Sequence, residues 1–168
     1  MAPVICHPSS PMTQEEFILH LQPQQEPLRR FLLTLCCGDR FTADDIAQDA
    51  MLKAWMGFDR FKGEARFSTW LFKIGYNCWL NHRYQSKTSP LPDEDPISDS
   101  AADETFRYQE LYQAISELNP NERAAILLFY MEEKNIKEIA SIMNTKTGTV
   151  KSLLSRGRDK LRNKVDSE

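Results

Sequence analysis

One segment constrains the fold of this chain more than any other: an acidic stretch rich in proline and serine, from Thr88 to Thr105. It holds six acidic residues and no basic ones, and it has few large apolar side chains. Such a segment cannot bury enough surface to form a core, so residues 88–105 are predicted to be a linker. The 168-residue chain is thereby divided into a tail (1–12) and two modules, 13–87 and 106–168. Modules of roughly 60–75 residues are near the lower size limit for an independent core.

The two modules carry positive charge that the net charge of −3 conceals. Residues 60–87 contain six basic residues and one acidic residue, and residues 146–164 contain seven basic residues and one acidic residue. Two basic blocks separated by an acidic linker indicate two surfaces that meet a polyanion. Charge alone leaves open that both blocks are ordinary solvated helix faces.

Several classes of protein are excluded or disfavoured. No apolar run approaches the roughly 20 residues of a membrane span, and the N-terminus lacks the pattern of a secretory signal. The four cysteines, with Cys36 and Cys37 adjacent, have neither disulfide-framework nor zinc-site spacing. The three histidines are scattered, and there is no glycine-rich phosphate loop. We therefore expect a soluble cytoplasmic protein that is not an enzyme and has no metal or cofactor.

The first module is predicted to be helical. Thr42 followed by Ala43, Asp44 and Asp45 favours a helix start. The next helix is expected to begin at Ser68 or Thr69 and to continue to about residue 84. Behind the first start, apolar residues recur on one helical face, namely Ile46, Ala47, Ala50, Met51, Ala54 and Trp55. The opposite face carries Asp45, Gln48, Asp49 and Leu52, and is either plain solvated surface or a docking face for a basic partner.

The second module has the pattern of a helix-turn-helix. A helix over about 104–118 ends before Asn119, which can cap the next helix with Pro120 in its first turn. Two further helices, 136–143 and 147–163, are joined by a three-residue turn, and the second is basic. Its N-terminus and basic face suit the phosphates and major groove of duplex DNA. No alternation typical of strands is present, so we predict an all-α protein of two small helical domains joined by a flexible linker.

The stretch between residues 58 and 84 interleaves aromatic with basic side chains. Aromatic faces stack on unpaired bases while cations hold the backbone, so the composition suits single-stranded nucleic acid. The same aromatic residues, Trp70 among them, also suit a plain helical core, and the sequence leaves both interpretations open.

Three motifs follow one another along the chain: residues 44–55 (DDIAQDAMLKAW), residues 61–71 (FKGEARFSTWL) and residues 147–152 (TGTVKS). In this order they resemble three conserved segments of bacterial RNA polymerase sigma factors of the extracytoplasmic-function (ECF) group. The first two resemble regions 2.2 and 2.3, and the third is similar to the start of the region 4.2 recognition helix. The resemblance covers residues 14–87 and 106–163.

The resemblance implies a promoter-specificity subunit of RNA polymerase that is held inactive by an anti-sigma factor. The core-polymerase-binding residues would be Asp45, Gln48, Asp49 and Leu52. The melted −10 element would meet Lys62, Arg66, Phe67, Ser68, Lys73, Tyr76 and Asn77, with one base flipped out of the stack. The double-stranded −35 element would meet Lys146, Thr147, Thr149, Lys151, Ser152, Ser155 and Arg156.

Three departures from the family pattern stand out. Leu153 replaces the usual arginine, which removes one expected DNA contact. Met143 and Asn144 replace Leu-Gly at the turn, where asparagine can adopt the left-handed conformation. Trp79 stands where small residues are common. The alternatives are a DNA-binding regulator that is not a polymerase subunit, which leaves residues 58–84 without a role, and a sigma mimic that titrates an anti-sigma factor.

Overall fold

The computed structural model describes residues 11–88 and 109–166. Within these ranges all regular structure is helical, in agreement with the predicted all-α class. No helix there combines the length and apolar character needed to cross a bilayer. The predicted tail, apart from its last two residues, and the predicted linker from residue 89 onward lie outside the described ranges. Met12, which was assigned to the tail, is buried in the core.

The first unit contains four helices. α1 spans Gln14–Leu21, and a 3-10 turn, Gln22–Gln24, leads into α2, Gln25–Leu35. α3 spans Arg40–Gly57, and a second 3-10 turn, Phe58–Arg60, precedes the loop to α4, Phe67–Thr88. Thr13 and Glu16 form a capping box at the start of α1, which satisfies N–H groups that the helix leaves unpaired.

The predicted apolar stripe of α3 is mostly correct. Ile46, Ala47, Ala50 and Ala54 are buried, whereas Trp55 at its edge remains 40% exposed. The three alanines let α3 pack closely on α2 and α4. Gly63 in the loop before α4 has a positive φ of 71°, a conformation that glycine adopts without strain.

The helix starts differ from the prediction by a few residues. α3 begins after Asp39 rather than Thr42, because the Asp39 carboxylate accepts hydrogen bonds from both the backbone N–H and the hydroxyl of Thr42. Thr42 therefore lies inside the helix that it was expected to cap. α4 begins at Phe67, one residue before the predicted range, and runs to Thr88.

The second unit contains α5 (Gln109–Ser116), α6 (Pro120–Tyr130), α7 (Ile136–Ile142) and α8 (Thr147–Val165). The predicted start of α6 is confirmed: the Asn119 side chain accepts from the backbone N–H of Asn121, and Pro120 is the first helical residue. Asn144 has a φ of 50° between α7 and α8, so the turn has the predicted left-handed residue. α7 and α8 pack across each other and on α6 as a helix-turn-helix.

The two units pack against each other. Their buried apolar residues form one continuous cluster, in which α4 contacts α7 and α2 contacts α6. Arg123 on α6, 7% exposed, joins them: its guanidinium donates to the Leu35 carbonyl at the end of α2, 3.0 Å away. The same side chain donates to carbonyls at the end of α5 and beyond it, those of Ile115, Ser116 and Leu118. One buried cation thus caps the negative ends of a helix from each unit.

Candidate functional site

The acidic face of α3 is open to solvent. Asp45, Gln48, Asp49 and Leu52 are all exposed, and their spacing puts them on one side of the helix. The Leu52 side chain is 56% exposed, and Asp49 pairs with Lys53 across one turn at 3.1 Å. Beside this face, between α3 and α4, lies a groove of about 400 Å³ that Asp45, Asp49 and Lys53 help to line. An apolar side chain among carboxylates can bind a basic partner with an apolar centre.

This face extends further than the sequence indicated. Met56, one turn beyond Leu52, is 71% exposed, and Trp55 lies beside it. Met56 was not singled out, although its i+4 spacing from Leu52 was a signal that could have found it. The three side chains make an apolar strip along the end of α3.

The basic face of α4 and the loop before it contains five of the seven residues assigned to the −10 element. Lys62, Arg66 and Asn77 are exposed, and Ser68 and Lys73 are half-buried. Lys73 and Asn77 follow one another by four residues, so they lie on the same side of α4.

Phe67 and Tyr76 do not belong to that exposed surface. Phe67 is 8% exposed, with its ring 5.7 Å from that of Phe17 and stacked on His20 at 5.3 Å. Tyr76 is 3% exposed and packs on Trp79, and burial raises the pKa of its hydroxyl. Both rings support α4 from the core side, so in this arrangement they are not available to stack on a base.

Trp79 is also a core residue. It is 2% exposed, and the Arg83 guanidinium lies 4.9 Å from the centre of its ring. The large Trp79 side chain therefore fills core space on the inner side of α4, and its ring makes a cation–π contact with Arg83.

All seven residues assigned to the −35 element are exposed at the turn and on α8, namely Lys146, Thr147, Thr149, Lys151, Ser152, Ser155 and Arg156. An open depression of about 510 Å³ lies at the start of α8, lined by Asn144, Thr145, Lys146 and Thr149. On the opposite side of α8, Val150, Leu153 and Leu154 are buried. Leu153 is thus a packing residue, which explains why an arginine can be absent there without leaving a gap in the exposed face.

A buried carboxylate holds α8 from below. Glu122 on α6 is 4% exposed, and its Oε2 lies 2.7 Å from the Lys160 Nζ. Its other oxygen, Oε1, lies 3.8 Å from the Arg156 Nε. Arg156 therefore contributes to the packing of α8 as well as to its exposed face. Sequence reasoning missed Glu122, because its partners lie more than thirty residues away along the chain.

Two family models match the chain, in the order of the two units. The model described as Sigma-70 region 2 matches residues 22–88, and the model described as Sigma-70, region 4 matches residues 108–161. The first match takes in the acidic face of α3 and the basic face of α4. The second contains the helix-turn-helix.

Characterised proteins are similar over most of their length. The ECF RNA polymerase sigma-E factor of Escherichia coli K12 is 32% identical over 138 residues, which cover 72% of each chain. The ECF RNA polymerase sigma factor SigW of Bacillus subtilis strain 168 is 28% identical over 145 residues, 76% of this chain and 78% of SigW.

Solved structures share the fold. The sigma factor RpoE from Bartonella quintana, solved with the anti-sigma factor NepR, superposes with a TM-score of 0.79 at 25% identity, covering 90% of this chain and 98% of that one. CnrH, solved with the cytosolic domain of CnrY, has a TM-score of 0.70 at 19% identity, covering 93% and 91%.

Proposed function

Since this chain belongs to the ECF RNA polymerase sigma factors, which direct promoter-specific initiation of transcription, we propose how its exposed faces divide that work. The acidic face of α3 binds core RNA polymerase. Four exposed side chains support this assignment: Asp45, Gln48 and Asp49 supply hydrogen-bond acceptors, and Leu52 supplies the apolar centre. Their partner is a basic helical surface with an apolar stripe, since only such a surface satisfies both chemistries.

The basic face of α4 binds the melted −10 element. The positively charged groups of Lys62, Arg66 and Lys73 neutralise the backbone of the single strand. Asn77, exposed on the same side of α4 as Lys73, offers both a donor and an acceptor to the edge of an unpaired base. Phe67 and Tyr76 act beneath this face, because they fix the position of α4 from the core.

The exposed face of α8 binds the −35 element as duplex DNA. Thr147 and Thr149 stand at the positive end of the helix dipole, where a phosphate is favoured. Lys151, Ser152 and Ser155 lie on the exposed side, opposite the buried Val150 and Leu154. This arrangement puts polar side chains into the major groove while the apolar side stays on α6 and α7.

We further propose an anti-sigma protein as a partner. The observation that supports it is the likeness to RpoE of Bartonella quintana, which was solved with the anti-sigma factor NepR. The proposed work requires no covalent chemistry from the chain, so it is a binding subunit rather than an enzyme. It acts in the cytoplasm, where bacterial RNA polymerase and promoter DNA are found.

The observation that carries the whole proposal is the order of the surfaces: an acidic docking face, a basic single-strand face and a helix-turn-helix follow one another along one chain. The first test is transcription in vitro with purified bacterial core polymerase and a pooled library of promoters, with and without this protein. We expect discrete new start sites that depend on the protein. Co-elution with core polymerase then separates a missing promoter from a missing interaction: a chain that neither transcribes nor co-elutes would contradict the proposed docking face.

Charge reversal tests the docking face. Asp49→Lys puts a cation where the polymerase surface is expected to be basic, so co-elution with core polymerase should be lost. Asp59→Lys is the matched control, because Asp59 is exposed and lies outside α3. If both variants lose co-elution equally, net charge matters rather than the α3 face. If Asp49→Lys still co-elutes with core polymerase, Asp49 is not part of the interface.

A further inference from the structure

Phe41, in the first turn of α3, has its ring almost entirely in solvent. Of the exposed large apolar side chains in the described ranges it is the most exposed, at 92%. A single apolar residue at a protein surface needs no explanation, so the ring is informative only through the side chains that share its surface.

The ring lies on the same side of α3 as the acidic face. Asp45, Gln48 and Leu52 follow Phe41 by four, seven and eleven residues, which is the spacing of one face of a helix. All four side chains are exposed, whereas the core side of α3 is formed by other positions. The exposed face of α3 therefore begins with an aromatic ring, continues with hydrogen-bonding groups and ends with Leu52 and the apolar residues beside it.

We propose that Phe41 is a second apolar anchor of the surface that binds core RNA polymerase, and that the partner helix lies lengthwise along α3. This rests on the proposed docking function of α3 and extends it to the start of the helix. Phe41 precedes the motif of residues 44–55 and is not among the four residues assigned from that motif. Large aromatic side chains contribute most to binding where they are fully desolvated by the partner.

The separation of the two apolar ends defines how the partner lies. Eleven residues of helix place Phe41 about 16 Å from Leu52 along the axis, and Met56 is about 6 Å further on. A partner helix that crosses α3 steeply leaves one of these ends uncovered, whereas a helix at a small crossing angle reaches both. The surface therefore fits a helix that runs beside α3 and carries two apolar contacts about 16 Å apart, with polar and basic groups between them.

The charges around the ring select a basic partner. Asp44 and Asp45, both exposed, follow Phe41 by three and four residues, so their carboxylates flank the ring on its own side of the helix. A lysine or arginine of the partner can pair with a carboxylate while its stem or guanidinium covers the ring. A second copy of this face is a poor occupant, because it brings acidic side chains together and Lys53 already pairs with Asp49.

The first test compares the affinity of Phe41→Ala and of the wild-type full chain for immobilised bacterial core RNA polymerase, by biolayer interferometry. We expect binding to weaken about 10- to 30-fold, as for loss of an aromatic anchor. Phe41→Leu should restore most of the affinity, because it restores an apolar side chain. Since the ring is 92% exposed, its removal leaves the core intact, and circular dichroism should show unchanged helix content and thermal unfolding. The matched control is Leu19→Ala, which removes an apolar side chain 66% exposed on α1 and should bind as the wild type does.

The second test locates the partner directly. The photoreactive amino acid p-benzoylphenylalanine is placed at Phe41 in one variant and at Leu52 in another, and each is irradiated with core polymerase. Mass spectrometry should find both cross-links in one helix of one polymerase subunit, at positions about eleven residues apart, since two helices side by side have the same rise per residue. Cross-links on different subunits, or at the same position, would contradict the lengthwise arrangement.

Asp49→Lys separates this inference from the docking function on which it rests. If the wild type binds core polymerase and Asp49→Lys does not, while Phe41→Ala binds as tightly as the wild type, α3 docks without Phe41 and the inference is wrong. It is equally wrong if Leu19→Ala weakens binding as much as Phe41→Ala, because exposed apolar area in general would then be responsible. A wild type that does not bind core polymerase overturns the docking function and the inference together.

Discussion

Two glycines let helices approach each other more closely than any side chain would allow. A Cβ at Gly157 on α8 would lie 2.8 Å from the Ile126 Cγ1 on α6, and a Cβ at Gly75 on α4 would lie 2.8 Å from the Leu28 Cδ1 on α2. Both neighbours are buried, with Ile126 at 3% and Leu28 at 0% exposure. Neither can move without disturbing the core around it.

The variant Gly157→Ala should therefore destabilise the chain. Alanine gains helix propensity, but the clash with Ile126 outweighs that gain, and we expect a net loss of about 1–2 kcal/mol in the free energy of unfolding. Gly148→Ala on the same helix is the matched control, because nothing lies within 4 Å of a Cβ there, and it should be neutral or stabilising by up to about 1 kcal/mol. Urea unfolding of the two variants checks this; equal effects would mean that α8 does not pack as closely as described.

The adjacent cysteines Cys36 and Cys37 differ sharply in environment. They follow the end of α2 rather than lying within it, and Cys37 is exposed with a φ of 54°. Burial, with smaller contributions from the charges of Asp39 and Cys37, raises the pKa of the Cys36 thiol to about 12. Burial raises the pKa of Cys78 as well.

Native alkylation should consequently be selective. A raised pKa leaves little thiolate at neutral or mildly alkaline pH, and the thiolate is the reactive form. With iodoacetamide at about pH 8, we expect Cys37 to be modified well before Cys36 and Cys78, as read by peptide mass spectrometry. In denaturant the three should react at similar rates. Equal rates in the native protein would contradict the buried position of Cys36.

At the scale of the element, α8 shows how a highly basic helix is held on an apolar core. Its buried side is narrow, formed by Val150, Leu153 and Leu154 with Gly157 at the closest approach. Glu122 adds a buried carboxylate that pairs with Lys160 and Arg156 from this helix. The buried apolar side chains set which side of α8 faces the core, and the ion pairs with Glu122 add to this attachment.

Glu122→Gln should weaken this attachment. The buried amide of glutamine carries no charge and cannot replace the carboxylate. Since both cations remain more than half exposed, we expect a loss of about 1–2 kcal/mol in the free energy of unfolding, less than for a fully buried ion pair. Glu117→Gln is the control, because Glu117 pairs with Lys164 at the surface and should cost less than about 0.5 kcal/mol. Chemical denaturation followed by circular dichroism measures the free energy of unfolding of both variants. If Glu122→Gln lowers it no more than Glu117→Gln does, the Glu122 carboxylate does not hold α8 in place.

The elements that sequence reasoning predicted well are those with local signals. Asn119 with Pro120 marks the start of α6, and Asn144 supplies the left-handed residue before α8. Such signals act within a few residues, where spacing along the chain equals proximity in space. The start of α3 was missed by three residues because Asp39 and Thr42 are both capping types, and only the structure shows that one binds the other.

At the scale of the whole molecule, the exposed faces can be tested separately within one assembly. Asn77 lies on α4, a different helix from α3 with its proposed docking face and from α8 with its proposed −35 face. Its proposed partner is an unpaired base, which exists only after the duplex opens.

The variant Asn77→Ala should therefore leave co-elution with core polymerase and binding to duplex promoter DNA unchanged, while it weakens opening of the −10 element about tenfold, as loss of a hydrogen-bonding group to a base would. Opening is measured by permanganate reactivity of thymines on a protein-dependent promoter. Gln113→Ala, which removes an exposed amide on α5, is the control. Normal opening by Asn77→Ala would mean that another side chain contacts the base.

What the sequence determined by itself is the all-α class, the helices from α3 onward and the family, because periodicity, capping residues and motif order are written along the chain. What only the tertiary structure decided is which of those residues face outward and what holds the modules together. Phe67 and Tyr76 are aromatic residues inside a nucleic-acid motif, yet packing on Phe17 and Trp79 places them in the core. The linker suggested modules held apart, whereas the Arg123 side chain reaches the Leu35 carbonyl, 88 positions away. Burial and pairing of this kind depend on which residues lie close together in the folded chain, and local sequence patterns do not specify contacts between distant positions.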